Sequence, residues 1–313
     1  MRYREGGDLD TSSIQDRRGR GGGFGGLGGG GRGRGVAVGG GGLGLVGLVV
    51  VVLIQVLGGG GGGDAGSALG GLAGLGQGEQ ADNADLERAC DEAGDANTSV
   101  DCAVAADVDS IQTYWSQVLG DQYVPTQTVF FEGQVQTPCG GASSGSGPFY
   151  CPGDSLVYID LSFFDQLQSQ FGAQGGLFVN AYVIAHEYAH HVQNLLGINQ
   201  QVTPGESGPT SGTVRLELQA DCFAGAWANH AETVPDQSGD PLIAEINADD
   251  IDRALDAAGR IGDDFIQREL GGGRVDQDAF THGSSEQRRQ WFTTGYETGD
   301  PNRCDTFATD DLG

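Results

Sequence analysis

The sequence predicts an α+β domain, mainly helical with a small sheet, behind a single N-terminal apolar segment. Three observations carry this prediction. Two long runs with helical apolar spacing, 177–196 and 213–231, dominate the second half of the chain. Two short β-rich runs, 127–132 and 155–160, precede them. The first 80 residues hold 32 of the 58 glycines, so an unusual N-terminal part is set apart from a body of ordinary composition.

Taken in order, residues 1–35 are polar and rich in Gly and Arg, and read as a disordered cytoplasmic tail that cannot bury enough apolar surface to fold. An RNA-binding Arg/Gly segment is the rival reading, but only Tyr3 and Phe24 supply aromatic rings. Residues 36–57 carry no charge over 22 positions, enough for a transmembrane anchor in a lipid bilayer. Their dense apolar part, 43–57, is 15 residues long, which leaves a secretory signal as the alternative. The late start and the lack of a clean small-x-small cleavage site favour the uncleaved anchor. Arginines crowd its N-terminal flank and none follows until Arg88. That asymmetry predicts a single pass through the cytoplasmic membrane, with the N-terminus in the cytoplasm and the body outside. Residues 58–105 begin with six glycines and read as a flexible extracytoplasmic tether, with a short helix at 85–93.

The folded body is predicted over 106–313. Asp109 is expected to cap a helix whose buried face carries Ile111, Tyr114, Trp115, Val118 and Leu119. Strands at 127–132 and 155–160 flank a Gly/Ser loop, and 162–171 has helical spacing. The helix at 177–196 ends at Gly197, and a polar loop leads to the helix at 213–231. One or two helices fall within 247–270. The last begins near Ser284, where Ser284 and Gln287 have capping-box spacing.

The chain has 313 residues, 43 acidic and 16 basic, all of the latter Arg, for a net charge of −27. Residues 1–35 carry +3 and the remainder −30. A body this acidic repels phosphate backbones, which argues against nucleic acid as its partner. Six cysteines, Cys90, Cys102, Cys139, Cys151, Cys222 and Cys304, include no CxxC pair, so a cysteine zinc site is not indicated. An even number outside an anchor points to disulfides. Sequence proximity favours Cys90–Cys102 and Cys139–Cys151, leaving Cys222–Cys304.

The chemistry lies in His186-Glu187-Tyr188-Ala189-His190, an HExxH motif within an apolar helical run. Positions i and i+4 share one helix face, so both imidazoles can reach one Zn2+ ion. Glu187 sits about 100° around the helix from His186, placed to take a proton from a metal-activated water without ligating. The extended HExxHxxGxxH motif is absent, because Gln193 and Leu196 occupy the glycine and last histidine positions. His191 points away from the pair. On the next helix Glu217 and Asp221 share a face in an apolar stretch. Glu217 suits the third ligand position, and Asp221 suits a hydrogen bond that orients a ligating imidazole. Asp221 itself, His230 and His282 are the rival ligands.

HExxH followed by a Glu-x-x-Ala-Asp helix is similar to gluzincin metallopeptidases. More narrowly, HEYAHHVQ, LELQADCFAGAWANH, HGSSEQRRQWFTTGY and the late CDTF resemble the bacterial neutral zinc metallopeptidases of the YpfJ-like family. The resemblance covers roughly residues 105–310 and the single-span N-terminal architecture. It implies a zincin-like peptidase domain with His186, His190 and Glu217 on one catalytic zinc and Glu187 catalytic. Peptidases of this class commonly use a second imidazole or phenol on the oxyanion, and His282 is the candidate here, with Tyr296 and Tyr158 behind it. His230, at a helix C-terminus, suits a favourable end-of-helix charge better than a ligand. The expected function is a membrane-anchored zinc peptidase acting on a peptide or protein substrate. The alternative is a non-catalytic zinc-stabilised binding or scaffold domain outside the cytoplasm.

Overall fold

The computed structural model describes residues 1–19, 83–236 and 239–313. The two strongest apolar runs form the central helices, α4 (Leu177–Leu195) and α5 (Gly212–His230). Gly197, in the left-handed region at φ 70°, follows the end of α4, where a side chain at Cβ would be strained. Ahead of them stand α1 (Ala84–Ala89), α2 (Val100–Leu119) and α3 (Phe163–Ser169). Behind them come α6 (Ala248–Arg260), α7 (Asp263–Glu269) and α8 (Ser285–Thr298). Ser284 caps α8 in a capping box with Gln287, as its spacing predicts.

The strands are short: β1 (Arg2–Tyr3), β2 (Ile14–Asp16), β3 (Thr128–Phe130), β4 (Gln134–Thr137), β5 (Gly140–Ser143), β6 (Phe149–Cys151), β7 (Leu156–Ile159) and β8 (Ile243–Glu245). The main sheet has the order β2-β3-β7-β6, with β2–β3 and β3–β7 parallel and β6–β7 antiparallel. One side of α4 packs on β6 and β7, and its others meet α2, α5 and α6. The fold is therefore mixed α+β with small sheets, as expected. α5 and α8 approach unusually closely. A Cβ on Gly225 would overlap the Phe292 carbonyl, and one on Gly295 would overlap the Cys222 carbonyl. Disulfides join Cys90–Cys102, Cys139–Cys151 and Cys222–Cys304, the pairing that proximity favours.

Two expectations need correction. The first long helix starts at Val100, capped by Ser99, so Asp109 lies in its interior rather than at its cap. The Ala-rich stretch 102–106 is wholly buried and extends the helix toward its N-terminus, while the Cys90–Cys102 bond fixes that end. The folded body consequently begins well before residue 106, and residues 83–105 are part of it.

The second correction concerns residues 1–19, which pack instead of forming a disordered tail. β1 pairs with β8, and β2 adds an edge to the main sheet beside β3. Tyr3 is completely buried and donates its hydroxyl to Asp107 Oδ1 at 2.8 Å. Ile14 is 1% exposed. Composition alone cannot register this, because three apolar anchors (Tyr3, Leu9 and Ile14) suffice once a preformed surface and sheet edge receive them. Asn83 grips the same arm: its Nδ2 donates to the Ile14 carbonyl, and its Oδ1 accepts from the Asp16 N–H at 3.0 Å. A single crossing at 36–57 would put residues 1–19 and 83–313 on opposite sides of a bilayer, whereas here they form one packed body. Residues 36–57 themselves lie outside the described residues, as do most of the proposed tail and tether. Among the described residues no helix is long and apolar enough to cross a membrane.

Replacing Ile14 with Ala should lower the unfolding free energy by about 2–4 kcal/mol, the usual cost of emptying a buried aliphatic site. Urea unfolding checks this; an unchanged midpoint would show that the arm does not contribute to the core.

Candidate metal centre

Helical spacing places His186 and His190 one above the other on α4, and their rings meet edge to face with centroids 4.8 Å apart. Glu217 faces them from α5. One ligand atom each from His186, His190 and Glu217 lies within 4.8 Å of the others. His186 Nε2 is 3.2 Å from Glu217 Oε2, and His190 Nε2 is 3.6 Å from Glu217 Oε1.

The outer partners decide which nitrogens are free. His186 Nδ1 donates to Asp221 Oδ1 at 2.9 Å, since an ionised carboxylate can only accept. His190 Nδ1 donates to the Gln193 side-chain oxygen at 2.9 Å. That amide is oriented by its own NH2, which donates to the Leu216 carbonyl at 2.8 Å and to Gln219 Oε1 at 3.0 Å. Both imidazoles thus hold a proton on Nδ1 and turn Nε2 toward the Glu217 carboxylate. In a buried site a positive charge must lie between Nε2 and the carboxylate, either a proton on His186 or a bound cation that replaces it. Two imidazole nitrogens and one carboxylate, with a cavity on the open side, fit a zinc ion with a free coordination position. The bare site already pulls on a positive charge. Burial disfavours protonated His186, yet the Asp221 and Glu217 carboxylates outweigh it and raise its pKa to about 10. His190 goes the other way: burial keeps it neutral, the state a ligand needs.

Asp221 is completely buried and accepts from four donors. Besides His186 these are the Tyr182 hydroxyl at 2.6 Å, Arg288 Nε at 2.8 Å and an Arg288 terminal nitrogen at 3.0 Å. Burial opposes its charge, but Arg288 and His186 hold its pKa below the usual carboxylate range. Tyr182, Gln193 and Arg288 were not singled out as site residues from the sequence. Tyr182 had a usable signal, one helical turn before His186 on the same face. Arg288 had none, because it lies 67 positions from Asp221.

Glu187 points into the cavity beside the triad. Its Oε2 accepts the Tyr150 backbone N–H of β6 at 3.0 Å. Burial chiefly, with the nearby Glu217 charge, raises its pKa to about 7. His282 lines the same cavity. Its loop is held by Asp263, whose Oδ2 accepts the backbone N–H groups of Thr281, His282 and Gly283 at 2.7–3.0 Å. Its ring Nδ1 lies 3.5 Å from Asp263 Oδ1. Burial opposes the charged ring, but Glu217 and Asp263 outweigh it and raise its pKa. The rivals are placed elsewhere. His230 bonds the Gly299 carbonyl at 3.0 Å, Tyr158 bonds Asp154, and Tyr296 stacks on Phe292. His191, as expected, turns away, with its ring nitrogens on the Tyr150 hydroxyl and the Val124 carbonyl.

Replacing Gln193 with Met removes the acceptor at His190 Nδ1 while keeping the volume. Zinc affinity, measured by competition with a chromophoric chelator, should fall by about ten-fold or more. An unchanged affinity would remove Gln193 from the metal site.

The sequence pattern of the family described as "Putative neutral zinc metallopeptidase" matches residues 1–307. The uncharacterized protein Rv2575 of Mycobacterium tuberculosis (H37Rv) is 49% identical over 225 residues, which is 72% of this chain and 76% of the relative. The uncharacterized protein YpfJ of Escherichia coli K12 is 45% identical over 195 residues, 61% of this chain and 64% of the relative. No solved structure matches the chain.

Proposed function

Since the chain belongs to the neutral zinc metallopeptidase family, we propose that it hydrolyses peptide bonds with a zinc ion held by His186, His190 and Glu217. The observation that carries this reading is Glu187, a buried carboxylate beside the triad that is not part of it. A purely structural zinc site has no use for such a group, which weighs against a scaffold role. Zinc would supply the Lewis acid that polarises the scissile carbonyl and lowers the pKa of water to about 7. The protein groups do the rest. Tyr150 N–H fixes one oxygen of Glu187, leaving the other to accept the proton of the attacking water. A carboxylate poised near pH 7 can take that proton and give it back to the leaving amine. His282, positioned by Asp263, donates an N–H to the carbonyl oxygen as it gains charge.

Replacing Glu187 with Gln should reduce peptide cleavage by about 10²-fold or more with zinc content unchanged. Wild-type protein and variant are compared by metal analysis and by cleavage of a peptide library. Equal turnover in both would reject the role of Glu187, and zinc retention with no cleavage by either would favour the scaffold alternative.

The three disulfides support a location outside the cytoplasm for the whole body, residues 1–19 included. Ser12 and Gln122 are exposed. Cysteines placed at either position should react with a membrane-impermeant maleimide in intact cells. Labelling at 122 but not at 12 would contradict the shared side, and protection of both would contradict the location.

A further inference from the structure

The cavity that holds the metal triad continues into a space that the chemistry above does not use. The whole cavity, triad included, offers about 200 Å³. Its lining includes an apolar set: Phe163 of α3, Phe171, Val183 of α4, Ile261, Ile266 of α7 and Leu270 just after that helix. Leu270 is 48% exposed, an apolar side chain left against water at the rim. The charged groups on the cavity wall belong to the metal site and its neighbours or to bonds already made. Asp263 spends its carboxylate on three backbone N–H groups, Arg288 is bidentate to Asp221, and Glu187 accepts the Tyr150 N–H. The remaining polar groups near the apolar wall include the neutral amides Gln166 and Gln170.

An apolar cavity of about 150 Å³ is large enough to take a benzene ring. A neutral ring or branched aliphatic chain placed here would cover Phe163, Phe171, Ile266 and Leu270 and leave no polar group unpaired. A carboxylate or ammonium set against these apolar side chains would lose its hydration and meet no partner among them. We infer that this wall is a side-chain subsite, so that the protein selects peptides carrying an aromatic or large aliphatic residue next to the scissile bond. The inference rests on the peptidase reading and names its substrate class.

Two measurements separate the failure of one from the failure of the other. The first compares cleavage by the zinc-loaded protein of matched peptides with Phe, Leu, Ala or Asp at each position flanking the bond. The Phe and Leu peptides should exceed the Ala and Asp peptides in kcat/KM by at least ten-fold at one flanking position. Cleavage of all four at equal rates leaves hydrolysis standing and overturns the subsite. The second measures binding of the same peptides to zinc-loaded Glu187→Gln, which needs no turnover. A ten-fold tighter Kd for the Phe peptide than for the Asp peptide supports the subsite even if no peptide is cut. Equal affinities overturn it. Leu270→Arg, at the exposed rim, should narrow the Phe-to-Asp ratio in both measurements, and an unaltered ratio would remove α7 from the subsite.

Discussion

Asp221 is the point on which the centre is built. A carboxylate with no exposure to water is expensive to bury, and removing one partner of such a pair typically costs about 3–5 kcal/mol. Four donors from two helices make this one tenable: Tyr182 and His186 of α4, and two nitrogens of Arg288 of α8. Asp221 itself belongs to α5. One anion thus fixes the relative placement of the three helices and the Nδ1 proton of His186, a candidate metal ligand. Arg288 can reach it because Gly225 and Gly295 let α5 and α8 meet backbone to backbone.

The same anion sets the direction of the chemistry. By holding the proton of His186 on Nδ1, it turns Nε2 toward Glu217. Gln193 does the same for His190 without a charge. The two imidazoles therefore point at one place for different reasons, one electrostatic and one a chain of neutral amides. Glu187, next to His186 in sequence, is denied any such partner except a single backbone N–H. It keeps the raised pKa that a proton carrier needs.

Much of this was legible in the sequence, because it is written at short range. The HExxH pair and the Glu217/Asp221 pair each repeat at i, i+4 on one helix, so their convergence needs only that α4 and α5 pack. The strands, Gly197 and the Ser284 capping box are local features of the same kind. Arg288 was not legible, since its meaning comes from a contact 67 positions away. The N-terminal arm was misread for a related reason. Residues 1–19 have too few apolar groups to fold alone, and what orders them is the edge of β3 and the buried Asp107 that accepts the Tyr3 hydroxyl, more than 100 residues distant. Asp109 was misread because a capping residue in helix-interior context carries the same letter.

The grip of Asn83 on Ile14 and Asp16 has a consequence for how the family can vary. Asn83 is bonded to Ile14 and Asp16, so the chain leaves and re-enters the body at neighbouring points, with the 63 residues 20–82 between. The entropy of closing a loop grows only with the logarithm of its length, and doubling it costs about 0.6 kcal/mol. Residues 20–82 can thus be lengthened, shortened or rewritten in composition with little penalty to the body. Changes in that stretch are uncoupled from the geometry of α4 and α5.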